Sequence, residues 1–204
     1  MNLVCLDMEG VVAPEIWIEF AEAAGIPELR LTTRDEPDYD KLMKYRIDIL
    51  RQHDLKLAQI QEVAGKLEPL PGAREFLDEL RTFCQVVILS DTFEETASGL
   101  FAKLGYPTVF CNNLIVNDEG YVVDYNMRIK EGNTKTPTVQ AFMGVGMKVF
   151  ASGDSYNDLG MIQAADHGCL FKTTDAIKAD LPHVTAVESY DELMAQIKEA
   201  FGVK

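Results

Sequence analysis

NLVCLDMEGVV, residues 2–12, is an apolar run that delivers two carboxylates, Asp7 and Glu9, and then a glycine, Gly10. A short run with almost no polar position reads as a strand buried on both faces, the kind that parallel sheets use. Four more runs share the character: QVVILS (85–90), TVFC (108–111), KVFAS (148–152) and GCLF (168–171). Between them the apolar spacing is helical over 73–83, 94–104, 135–143, 157–165 and 189–201. Strand and helix in alternation predict an α/β fold, a Rossmann-like parallel sheet with helices on both faces.

One interval breaks the alternation. From Pro14 to about Pro71 no strand pattern occurs, only helical spacing in PEIWIEFAEAAG (14–25) and YDKLMKYRIDILRQHDLKLAQIQEVAGKL (39–67). The expected division is therefore a core of residues 1–13 and 72–204 and an inserted helical cap, 14–71. Pro71 and Gly72 punctuate the return to the core. A smaller excursion, NNLIVNDEGYVVDYNMR (112–128), reads as a hairpin around NDEG.

The formal charge of -14 argues against nucleic acid or an anionic membrane as partner, and no basic patch reverses it. An anionic substrate must then be drawn in by a cation or a few placed lysines. Cys5, Cys84, Cys111 and Cys169 lack C-x-x-C spacing and read as reduced thiols. With a strand at the very start and no apolar run of membrane-spanning length, a cytoplasmic protein is expected. His53, His167 and His183 are scattered, without metal-ligand spacing.

Ligands of doubly wound sheets sit outside the carboxyl ends of the strands. There the sequence places Asp7 and Glu9, then Ser90, Asp91 and Thr92, then GDSYND (153–158) with Asp154, Asn157 and Asp158, and Lys135 in a helical stretch between. Singly, each is an ordinary turn former or helix cap. Together, carboxylates clustered on an acidic protein need a hard cation; Asp7 and Asp154 suit the oxygen geometry of Mg²⁺, with Ser90 and Lys135 as donors to a phosphate.

DMEGV, LSDT, NTKTP and GDSYND, in this order, resemble the four motifs of the haloacid dehalogenase (HAD) superfamily of phosphatases. The resemblance implies Asp7 as nucleophile, Ser90 and Lys135 as stabilisers of phosphoryl charge, and Asp154 as Mg²⁺ ligand. Asp158 would hold a metal-bound water or orient Lys135. Glu9 stands where the superfamily has Asp; the resemblance makes it the acid/base and groups it with Asp7, Asp154 and Asp158 around the metal. The extra methylene displaces its carboxyl by roughly 1.5 Å. Backbone N–H groups of Gly10 and Val11, with Asp91, Thr92 and Asn157, would complete the phosphate and substrate contacts.

The inserted helices are similar to the cap of phosphoserine phosphatases, where a Glu and a later Arg hold the amino-acid part of the substrate; Glu15 and Arg46 match in character and order. PEIWI, TTRD-x-PDYD and GDSYND are similar to the bacterial phosphoserine phosphatase/homoserine phosphotransferase type. That implies hydrolysis of phosphoserine through an aspartyl phosphate, with homoserine as a second acceptor; a homodimer is one option for the assembly. The alternatives are a HAD phosphatase for another small phosphometabolite and a non-catalytic phospho-ligand binder. A dehalogenase is disfavoured by the second metal carboxylate in GDSYND. Trp17, Phe20, Ile16 and Ala24 read as a packing face, and residues 30–40 as a connector that can cover the site.

Overall fold

Side chains of successive residues in the first strand point to opposite cores. This computed structural model describes residues 1–33, 35–36, 38–129 and 133–203. Among the described residues the strands are β1 (Asn2–Leu6), β2 (Gln85–Phe93), β3 (Thr108–Val116), β4 (Val122–Asn126), β5 (Lys148–Gly153), β6 (His167–Phe171) and β7 (Ala186–Val187), in one sheet of order β4-β3-β2-β1-β5-β6-β7. Central β1 pairs parallel with β2 (Leu6 opposite Ile88) and with β5 (Leu6 opposite Ser152). Its end, and Asp7 with it, thus lies between the ends of β2 and β5.

Val4, Leu6, Ile88, Phe150 and Phe171 join a core with α4 (Ala73–Leu80), α5 (Glu94–Lys103) and α9 (Tyr190–Phe201). Leu3, Cys5, Val87, Leu89, Val149 and Leu170 face α6 (Lys135–Gly144), α7 (Leu159–Ala164) and α8 (Asp175–Asp180) on the other side. The two-residue period of the strand separates the two layers.

The sheet is parallel from β3 through β7, as expected, and becomes antiparallel at its β4 edge. β3 does not stop at Cys111 but runs on to Val116 and folds back on β4 as an antiparallel pair. The Asn117 side chain accepts the N–H groups of Glu119 and Tyr121, and Gly120 takes φ 90° to close the turn. The hairpin predicted at 112–128 is thus an edge of the main sheet. The short α8 and β7 escaped prediction, and the helix expected over 157–165 begins as a 3₁₀ turn, Tyr156–Asp158, before α7.

Between β1 and β2 lie α1 (Ile16–Ala24), a 3₁₀ turn (Pro27–Arg30), α2 (Tyr39–Gln52) and α3 (Leu57–Ala64), with no strand among the described residues. The long helical pattern from Tyr39 is two helices, broken where Asp54 adopts φ 54°. These helices bury Trp17, Phe20, Leu29, Met43, Ile47 and Ile60 against Phe93, Leu114 and Val122 of the sheet. Ala24 is exposed rather than packed, because α1 ends there on a left-handed Gly25. The hairpin braces the insertion: Leu57 N–H donates to the Gly120 carbonyl at 3.0 Å and Tyr125 OH to Asp40 at 2.7 Å. The four cysteines are unpaired. No helix among the described residues is long and apolar enough to cross a membrane.

Candidate active site

The carboxyl ends of β1 and β5 bring Asp7, Asp154 and Asp158 together, with one oxygen of each inside a 4.8 Å span. Lys135, the first residue of α6, reaches Asp7 Oδ1 at 2.8 Å and Asp158 Oδ1 at 2.6 Å, and all four side chains are buried. Asn133 Oδ1 accepts the Lys135 N–H at 2.8 Å and so fixes the start of this helix. Asp158 Oδ2 accepts the N–H groups of Asp154 and Ser155 at 3.0 and 3.1 Å, which folds GDSYND around it. Glycine is demanded twice. A Cβ on Gly10, at φ 79°, would lie 2.6 Å from the Asp154 carboxylate, and one on Gly153 would lie 2.2 Å from Asp158 Cγ.

Three buried carboxylates against one ammonium leave the cluster short of positive charge. Burial, then Asp158 and Asp154, push the Asp7 carboxyl well above its usual range, with Lys135 opposing. Burial works against the Lys135 ammonium, yet Asp158, Asp7 and Asp91 outweigh it and hold it well above the usual lysine range. Hard oxygen donors with excess negative charge fit a small divalent cation such as Mg²⁺.

Ser90, 2% exposed, lies in the last part of β2, where the register against β3 shifts between Leu89 and Phe93. Its Oγ accepts the Thr92 N–H at 3.2 Å. Neither residue caps α5, whose N-cap is Phe93. Asp91 is a junction of the surrounding loops. Its Oδ1 accepts Thr134 Oγ1 at 2.8 Å, its Oδ2 accepts Asn157 Nδ2 at 3.0 Å, and its carbonyl accepts Tyr39 OH at 2.9 Å and Asn112 Nδ2 at 3.2 Å.

The Glu9 carboxylate lies apart from the aspartate cluster. Its Oε1 accepts the N–H of Ile16 at the start of α1, 2.8 Å away. Burial first, then Glu15, push its carboxyl up to about 8, against the Ile16 hydrogen bond and the charges of Arg46 and Lys135. Arg46 is buried, its guanidinium 4.5 Å over the Trp17 ring. It donates to the Leu31 carbonyl at 2.7 Å, while its buried Nε has no partner among the described residues.

A cavity of about 70 Å³ touches both poles, the group of Asp7, Ser90, Lys135 and Asp154 and the group of Glu9, Glu15, Trp17 and Arg46. Asp91, Thr92 and Asn157 line it too, as do Thr32, Thr33, Tyr39, Leu42 and Ser155, which sequence reasoning did not single out. The signal for Thr32, Thr33 and Tyr39 was the TTRDEPDYD stretch (32–40); its Arg34 and Pro37 lie outside the described residues. Trp17, read as packing, also forms wall. Gly10 and Val11 do not line the cavity. Their N–H groups donate to the carbonyls of Ala13 and Met8, at 2.9 and 3.3 Å, inside the turn that follows Asp7.

A family model described as haloacid dehalogenase-like hydrolase matches residues 1–166. Over 200 residues, 98% of this chain, the sequence is 49% identical to a phosphoserine phosphatase of Pseudomonas syringae pv. tomato, of which 84% is covered. It is 48% identical, again over 98% of the chain and 97% of the relative, to phosphoserine phosphatase ThrH of Pseudomonas aeruginosa. In fold it is similar to a structure of a phospho-aspartyl intermediate analogue of phosphoserine phosphatase. That likeness has a TM-score of 0.77 at 22% identity and covers 95% of this chain and 97% of that one.

Proposed function

The chain belongs to the haloacid dehalogenase-like hydrolase family, and from that premise we propose that it is an Mg²⁺-dependent phosphatase of O-phosphoserine, with homoserine as a second phosphoryl acceptor. Residues 14–71 act as the cap domain over a core of 1–13 and 72–204, and the enzyme works in the cytoplasm. The observation that carries the reading is the one cavity that joins the Asp7–Lys135–Asp154 pole to the Glu15–Arg46 pole. A phosphate group fits the first. The buried guanidinium, whose Nε has no partner among the described residues, fits the substrate carboxylate, because leaving such a donor unpaired is costly. Glu15, which lines the same cavity, suits the ammonium.

Asp7 Oδ1 is engaged by Lys135 and by the Met8 N–H at 2.7 Å, so Oδ2 is the attacking oxygen. It forms the bond to phosphorus as the bond from phosphorus to the serine oxygen breaks, giving an aspartyl phosphate. Lys135 and Ser90 steady the charge on the phosphoryl oxygens. Glu9, its carboxyl pushed up to about 8 by burial, is protonated at neutral pH and gives its proton to the departing serine oxygen. It then takes a proton from water, or from the homoserine hydroxyl, as that oxygen attacks phosphorus and frees Asp7. Asp154 and Asp158, with Asp7, would hold Mg²⁺; bound there, the ion supplies the positive charge that keeps Asp7 ionised and offsets the phosphate.

The test is phosphate release from a panel of phosphomonoesters, with and without Mg²⁺ and homoserine. The proposal expects phosphoserine to be preferred, metal to be required, and O-phosphohomoserine to form when homoserine is present. Preference for an ester lacking the amino and carboxylate groups would replace the substrate assignment.

A further inference from the structure

The hydrogen bond from Tyr39 to Asp91 crosses from the inserted helices to the sheet. Tyr39 is the first residue of α2, and its hydroxyl donates to the Asp91 carbonyl at 2.9 Å while its ring lines the cavity. The ring is packed edge-on against Tyr125, 6.0 Å between centroids, and Tyr125 in turn donates to Asp40 of α2. The hydroxyl is therefore aimed by aromatic packing from the hairpin. Its acceptor is the junction residue of the other pole: the Asp91 carboxylate receives Thr134, immediately before Lys135, and Asn157, immediately before Asp158.

We infer that Tyr39 is a positioning residue, a latch that ties the seating of the α1–α2 insertion to the loops carrying Lys135 and Asp158. The helix that brings Arg46 to the cavity is the helix that Tyr39 opens. A substrate whose carboxylate engages Arg46 therefore pulls on the same element that Tyr39 fastens to Asp91. A substrate with only a phosphate to offer has no hold on α2. This part of the inference rests on the proposed phosphoserine reading; the latch itself does not.

Two readouts separate them in Tyr39→Phe, which keeps the ring and removes one hydroxyl. Trp17 is the sole tryptophan and lines the cavity beside Arg46, so its fluorescence reports how the insertion is seated without any substrate. Acrylamide quenching of Trp17 in the full-length variant should rise about twofold over the unaltered protein, with an unchanged circular dichroism spectrum. Equal quenching in the two proteins overturns the latch, whatever the substrate. The second readout compares esters: loss of one neutral hydrogen bond should lower kcat/KM for phosphoserine roughly three- to tenfold, and by more than for phenyl phosphate, which depends on the Lys135 and Asp158 loops but has no hold on α2. Equal losses on both esters, or no loss on either, overturn the coupling to the insertion. If the unaltered protein cleaves phenyl phosphate but not phosphoserine, the substrate reading falls, and the latch stands or falls on the quenching alone.

Discussion

Glu9 accepts a hydrogen bond from the main-chain N–H of Ile16, 2.8 Å away, so an acid on the first loop of the core is held by the first residue of the inserted helix. That contact anchors a carboxylate which is not one of the three gathered at Asp7, Asp154 and Asp158, and whose pKa burial raises while the Ile16 hydrogen bond opposes the rise.

With the Glu9 carboxyl pushed up to about 8, the acid that protonates the leaving oxygen is in its active form below that pH and is lost as pH rises through it. The kcat/KM for phosphoserine should be level near neutrality and fall on an alkaline limb centred near 8. In Glu9→Gln the residual activity should be roughly a hundredfold or more lower and lack this limb. A limb that survives the substitution in the same place would assign it to another group.

Lys135 is the positive partner of two buried carboxylates, Asp7 and Asp158. Lys135→Met leaves them without it, and breaking such a pair typically costs about 3–5 kcal/mol. Urea unfolding in the absence of divalent ions should show a loss of that order, and millimolar Mg²⁺ should recover part of it. A variant as stable as the unaltered chain would mean that the cluster relieves its charge by protonation instead.

Arg46 is expected to read the substrate carboxylate. Arg46→Ala should raise KM for phosphoserine about ten- to a hundredfold, the range of a charged hydrogen bond. Phosphoethanolamine, which lacks the carboxylate, should be almost unaffected. Arg46→Lys should restore little, since a point charge replaces a planar fork. Equal losses on both esters would indicate a packing defect, through the Trp17 ring on which the guanidinium rests.

Much of this was legible in the sequence because the determinants are local. The apolar run of β1, the breaks at Pro14 and Pro71 and the carboxylates at strand ends follow from short windows. The continuation of β3 beyond Cys111 was not legible: whether NNLIV extends a strand or starts a new one depends on whether β4 lies beside it. The direction of Glu9 was not legible either, because the Ile16 N–H is supplied seven residues later by a helix start. Gly10 and Val11 were expected to present N–H groups to a ligand, but the turn takes both donors for itself. Tyr39 came to the site through the bend of the insertion, which no periodicity encodes.

The central claim is that Asp7 carries the phosphoryl group. Acid quenching of the protein during turnover of phosphoserine with Mg²⁺, followed by mass spectrometry of its peptides, tests it directly. The account predicts a phosphoryl group on the peptide containing Asp7, absent from Asp7→Asn, which stays folded and loses turnover by at least about a thousandfold. Turnover with no phosphoryl group on that peptide, together with an Asp7→Asn variant that still releases phosphate at the normal rate, would contradict it.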